Sequence, residues 1–273
     1  MTIGTCGLCR LTGPLRNSHL IPAAFYRLVR AENALDGVGP DPVLLSPTGT
    51  VQTSQQIRMS FLCAACEDRF SKFGERLVAA ECLRPLGQFV LRDKLRHARP
   101  RHGRGVEAWF SAADLSTIDI PAYRYFAASM FWRASAGDWP TVDDHQPRGT
   151  LGAEYKAAFA EFLLRRAEFP QDAKLVLFVA NDLDPISLSS VPVLSKDEGF
   201  DIVSFFAPGI EFRMFLGKSI ARSALTLFHL WQTDMLFVLH DSHQARSTDR
   251  VADIVRQSTL RGRLARERRT GYA

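Results

Sequence analysis

Four of the five cysteines fall into two pairs, Cys6-Gly7-Leu8-Cys9 and Cys63-Ala64-Ala65-Cys66, with 53 residues between them. Two residues between thiolates make a tight knuckle that aims both sulfurs at one ion, and two knuckles complete the four-sulfur shell of structural zinc. A single such pair suits redox chemistry, but no βαβ pattern surrounds either one, and two pairs together select a metal. Cys82 is left over and reads as a small apolar residue buried on the helix that follows the second knuckle. Between the pairs stands His19, in Asn17-Ser18-His19-Leu20-Ile21-Pro22, and directly after the last cysteine come Glu67 and Asp68. Taken singly, His19 reads as a structural residue bonded to backbone near the knuckle. Glu67 likewise reads as an acid favouring a helix N-terminus through the dipole.

The order of these pieces carries more than any one of them. A Cys pair, then Ser18-His19-Leu20-Ile21-Pro22, then Phe61-Leu62-Cys63-Ala64-Ala65-Cys66-Glu67, then a helix with Phe70 and Ser71, resembles the zinc-knuckle branch of the HNH endonuclease family. The resemblance spans residues 6–75. It implies an N-terminal ββα-metal module in which zinc is structural and a separate divalent ion, Mg²⁺ or Mn²⁺, serves the chemistry. His19 then matches the general base, a role suited to an imidazole with an unperturbed pKa of about 6.5. Glu67 matches the last ligand of the divalent ion, and a carboxylate suits a hard cation. The family places an acid where Ser18 stands, a His or Asn where Glu67 stands, and an Asn within the stretch that here reads Gln55-Gln56-Ile57-Arg58-Met59-Ser60. These departures carry a second reading, a zinc-stabilised module that binds nucleic acid or protein without chemistry. The resemblance also implies a setting in prokaryotic defence.

Charge points toward phosphates. From Arg256 onward six arginines face one acid, Glu267, which accounts for the whole net charge of +5. A second run, Arg84 to Arg104, has seven cations against Asp93. Two basic segments in an otherwise balanced chain suit a nucleic acid, DNA before RNA, with Arg92, Lys94, Arg96, Arg99, Arg101 and Arg104 as the expected contacts. The bland reading of the same runs is a solvated helix face and a solubilising tail. No stretch approaches the ~20 apolar residues that cross a bilayer, and the first residues lack a signal-peptide pattern, so the expectation is a cytoplasmic protein with no membrane partner.

The elements that must position these residues follow from periodicity. With 273 residues and 46% apolar content the chain can bury a large core. Helices are expected from Ser18 to Glu32, with Ser18 as N-cap, and from Glu67 to Glu81. The Gly- and Pro-rich stretch Asp36 to Thr50 is expected as a loop, and Val51 to Cys63 as extended chain. Beyond a boundary at Arg96–Gly105, helices are expected over Tyr123–Ser135 and Ala153–Glu168. Strands are expected over Lys174–Ala180, Asp201–Ala207, Glu211–Gly217 and Asp234–His240, with a hairpin at Pro208-Gly209. The fold class is therefore α+β: a zinc-knuckle HNH-like module over residues 1–95, an α+β domain with a small, mainly antiparallel sheet over 106–255, and a basic tail over 256–273. The α+β domain is also the candidate contact for a protein partner. The aromatic stripe Tyr123, Tyr125, Phe126, Phe131, Trp132 is expected as core. His240-Asp241-Ser242-His243 and Asp143-Asp144-His145 are lesser metal-ligand candidates.

Overall fold

The computed structural model describes residues 2–30, 43–46, 49–52, 55–84, 87–104, 107–140, 150–182, 189–197, 200–217, 222–241 and 259–261. The Asp143-Asp144-His145 cluster, His243 and most of the arginine tail lie outside them.

In chain order the elements are β1 (Thr2–Thr5), β2 (Thr12–His19), α1 (Ala23–Arg30), β3 (Val43–Ser46), β4 (Gly49–Gln52), β5 (Arg58–Cys63) and α2 (Ala64–Phe70). A π-helical turn, Ser71–Glu75, joins α2 to α3 (Arg76–Glu81). Then come α4 (Val90–His97), β6 (His102–Arg104), β7 (Glu107–Ser111), a 3₁₀ turn (Ala112–Asp114) and α5 (Ile120–Ala136). The remainder is α6 (Ala153–Leu163), β8 (Ala173–Ala180), β9 (Val193–Asp197), β10 (Phe200–Ala207), β11 (Ile210–Leu216), α7 (Arg222–Leu230), β12 (Met235–His240) and β13 (Leu260–Arg261).

Three sheets form. β1-β2-β5 is antiparallel throughout, and β13-β4-β3 is a short second sheet. The third has seven strands in the order β6-β7-β12-β8-β11-β10-β9, antiparallel except for the parallel pair β8/β12. The architecture is thus mixed α+β, with a sheet larger than expected because β6, β7 and β9 extend it. The β10–β11 hairpin turns at Pro208-Gly209 as the sequence implies. Gly209 has φ +76°, and an added Cβ would come within 2.6 Å of the Phe89 ring, so both backbone and packing require glycine there.

Helix α5 organises the core. It is apolar on every side, and 13 of its residues, from Ala122 through Ser135, are buried, as expected of a helix with no solvent face. On one side Tyr123 and Phe126 meet Phe212, with Phe237 and Phe205 completing the contact to the large sheet. On the other, Phe126 stacks on Phe25 of α1, while Trp132 meets Phe61 of β5 and Phe70 of α2. The N-terminal module and the α+β half therefore pack into one continuous apolar cluster. The aromatic stripe is core, as expected.

Three expectations need correction. The helix expected from Ser18 begins only at Ala23, because β2 continues through His19 and pairs with β5. Pro22 sets this boundary: the residue before a proline is driven out of the helical region, and the first turn opens with the Phe25 N–H donating to the Pro22 carbonyl at 2.9 Å. Ser18 is consequently a strand residue, not an N-cap. The stretch expected as a loop contains, in its described part, the antiparallel pair β3/β4. The helix after the second knuckle carries a π turn where Gly74 lies against α5. A Cβ there would come within 2.9 Å of the Phe126 amide nitrogen, so close approach of the two helices dictates the glycine.

Candidate metal centre and its surroundings

The first knuckle is made by residues whose backbone is held on all sides. The Cys6 N–H donates to the Leu11 carbonyl at 2.9 Å, the Arg10 N–H to the Cys6 carbonyl at 3.1 Å, and the Gly7 N–H to the Phe61 carbonyl at 2.9 Å. Arg10 adopts the left-handed region, φ 65°, which lets the chain reverse into β2. The second knuckle straddles a strand-to-helix junction: Cys63 ends β5 and Cys66 lies in the first turn of α2. The β2–β5 ladder sets Leu15 opposite Cys63 and so brings this junction to the first knuckle.

The four thiol sulfurs of Cys6, Cys9, Cys63 and Cys66 all lie within 4.8 Å of one another. A tetrahedral ion with sulfur at ~2.3 Å places its ligands ~3.8 Å apart. Cys9 Sγ and Cys63 Sγ are 3.8 Å apart. The Cys63 N–H donates to Cys6 Sγ at 3.3 Å. Hydrogen bonds from the Cys66 thiol and from backbone amides pull the Cys6 pKa down to about 4, whereas the Cys6 sulfur and burial push the Cys66 pKa up. Four thiols packed this way cannot all ionise without a cation among them, and backbone amides already favour negative charge on one. The donor set, its spacing and its surroundings fit structural zinc. Among the described residues this is the one group of three or more His, Cys, Asp or Glu side chains gathered closely enough to hold an ion. Cys82, fully buried, is separate from it and free.

The β2–β5 ladder is interrupted between Arg16 and Asn17, where Phe61 is the extra residue on β5. A bulge leaves backbone groups off the ladder. Here the buried Ser18 hydroxyl accepts the Leu62 N–H at 3.1 Å. Ser18 therefore has a structural task, and its side chain is on the inner face of the strand. Alternation puts His19 and Asn17 on the other face, with Arg58 and Ser60 directly across from them. His19 is half-buried, its ring centroid 6.4 Å from that of Tyr26.

The backbone carrying His19 is fixed from behind. Arg133 of α5, buried, donates from Nη1 to the carbonyls of His19 at 2.9 Å and Leu20 at 3.3 Å. Its Nη2 donates to Glu75 Oε1 at 2.5 Å, and its guanidinium lies over the Phe70 ring. Glu75 occupies the π turn, so that turn and α5 together brace the end of β2. Neither residue was singled out in the sequence; an Arg inside an apolar helix was the available signal.

Glu67 lies on the first turn of α2 and is half-buried, with Oε1 buried and lacking a hydrogen-bond partner. Among the described residues it belongs to no group with His19 that also includes a third ligand. Asp68 is exposed.

The basic run is largely bonded within the fold. Arg92 is buried and donates to the carbonyls of Asp182 at 2.9 Å and Gly87 at 3.1 Å. Lys94 pairs with the buried Glu81, which also accepts from the Tyr123 hydroxyl at 2.9 Å. Arg96 donates to the side chain and the carbonyl of Asn181 at 2.8 and 2.7 Å. Arg101 forms a fork with Asp114, whose carboxyl pKa it lowers. Arg99 is exposed, and the Arg104 side chain lies outside the description. His240, by contrast with the metal role considered for it, is buried at the end of β12 against Phe178, and burial lowers its pKa. A cavity of about 610 Å³, lined in part by Arg124, Lys174, His229 and Asp234, contains none of the residues singled out from the sequence.

No helix among the described residues is long and apolar enough to cross a membrane. Comparison with protein-family models, with curated proteins and with solved structures finds no match for this chain.

Proposed function

We propose that the protein is a zinc-stabilised nucleic-acid-binding module built on an HNH-like scaffold whose catalytic ligand set is incomplete. The observation that carries this reading is the arrangement β2, β5, α2: two antiparallel strands followed at once by a helix, with the four-cysteine cluster at one end of the ladder and His19 at the other. Zinc held by Cys6, Cys9, Cys63 and Cys66 supplies folding energy to that arrangement. The residues available for Mg²⁺ or Mn²⁺ do not fit such an ion. Ser18 is turned inward and bonded to Leu62, and Glu67 has no described carboxylate or imidazole pair beside it.

The second reading, an endonuclease of HNH type acting on DNA, is favoured by one observation. His19 stands on the open face of the ladder on a braced backbone, the placement a general base needs. In that case its imidazole takes a proton from the water that attacks the phosphodiester. The two readings separate in one experiment on the full-length, zinc-loaded protein. Labelled duplex DNA is titrated for binding, and supercoiled plasmid is incubated with Mg²⁺ or Mn²⁺. The first reading expects salt-dependent binding without nicking. Nicking that disappears in His19→Ala selects the second, and absence of binding to DNA or RNA removes both.

A further inference from the structure

We infer that the phosphate-contacting surface of this protein is the open face of the β2–β5 ladder, with Arg58 as its central clamp, and not the basic run around α4. The inference rests on the nucleic-acid reading above and moves its interface to a different place. Arg58 opens β5 and is the residue directly across from His19. In such a pair the two Cβ atoms lie about 5 Å apart on the same side of the sheet. Two residues further along, the exposed pair Asn17 and Ser60 continues that face, and the Ser60 hydroxyl bonds that of Thr2 on β1. Arginine, imidazole, amide and hydroxyl donors thus line one strip, while the buried or half-buried Ser18 and Met59 point the other way.

Charge complementarity identifies the occupant. Arg10, Arg16, Arg27 and Arg58 are all exposed and have no ion-pair partner among the described residues, and residues 2–30 contain no Asp or Glu at all. The cations of the α4 region differ in this respect. Arg92, Lys94, Arg96 and Arg101 have their donors committed to Asp182, Glu81, Asn181 and Asp114. A guanidinium free to present two parallel N–H groups matches a phosphodiester, and neighbouring neutral donors fix register along a backbone.

The test measures binding of a fluorescein-labelled DNA duplex across a salt series. It uses the zinc-loaded wild-type chain, Arg58→Gln, Arg58→Gln/Asn17→Ala and Arg99→Gln. Each lost phosphate contact lowers the slope of log K against log salt by ~1 and weakens binding by roughly tenfold. The inference expects that loss for Arg58→Gln, a further loss of affinity for the double variant, and wild-type behaviour for Arg99→Gln. Wild-type binding retained in Arg58→Gln, or a loss confined to Arg99→Gln, overturns the placement while leaving nucleic-acid binding intact. A wild-type chain that binds no duplex and no single strand overturns the functional reading itself. Because the Arg58 side chain is exposed and has no ion pair among the described residues, circular dichroism of the variant is expected to match wild type, which separates lost contact from lost fold.

Discussion

Arg133 shows how much one side chain decides here. A guanidinium buried in an apolar helix is expensive to desolvate, yet this one has Glu75, two backbone carbonyls and the Phe70 ring around it. Removing the charge and its reach together leaves Glu75 and the carbonyls of His19 and Leu20 unpaired. Arg133→Ala is therefore expected to cost about 3–5 kcal/mol in urea unfolding. Arg133→Met combined with Glu75→Gln, which removes both charges and keeps the volume, is expected to cost much less. Equal costs for the two would contradict the account of a paired, bracing charge. Ser18 makes a related point. The HNH pattern that the sequence resembles has an acid at this position, but here the bulge at Phe61 releases the Leu62 N–H and the serine hydroxyl takes it. A residue that departs from a catalytic pattern thus has a task of its own.

Elements in this molecule were legible where their signal was local. Two Cys-x-x-Cys knuckles need only neighbouring residues, and the four sulfurs do converge. Strands β8, β10, β11 and β12 announced themselves as short apolar runs because the large sheet buries most of their length, and α5 because it is apolar throughout. Strand β2 was not legible: half of Thr12–His19 is exposed, so no apolar alternation marks it, and β5, one of its two pairing partners, lies some forty residues away. The basic run was legible as charge but not as bonding. Arg92 reaches the Asp182 carbonyl across 90 residues of sequence, and composition has no record of that.

At the same scale, His240 at the end of β12 gives a pH dependence. Burial lowers its folded pKa below the ordinary 6.5, so the unfolded chain binds its proton first. Its contribution is present above about pH 6.5 and is lost as pH falls through the lowered folded value. The urea midpoint is expected to drop between pH 7.5 and pH 5, and His240→Gln to flatten that drop. An unchanged pH profile in the variant would mean that other groups control it.

Across the whole molecule, α5 makes two halves interdependent. Phe126 touches Phe25 on the zinc side and Phe205 and Phe212 on the sheet side. Phe126→Ala is expected to cost about 3–5 kcal/mol through lost transfer energy and the cavity left behind. Chelation is expected to act the same way at a distance. Withdrawal of the metal should reduce amide protection not only in β1, β2 and β5 but also in β8, β11 and β12, since these strands share the core around α5. Protection confined to a drop in the first sheet would show that the halves are energetically separate.

All of this depends on the cysteine cluster gathering one ion. Substitution of cobalt(II) into the metal-free full-length chain, followed by absorption spectroscopy alongside elemental analysis of the zinc form, reads that directly. The account predicts one metal per chain and the spectrum of a tetrahedral four-thiolate site, abolished by Cys66→Ala. A chain without metal, a cysteine disulfide, or a spectrum requiring nitrogen ligands would contradict it.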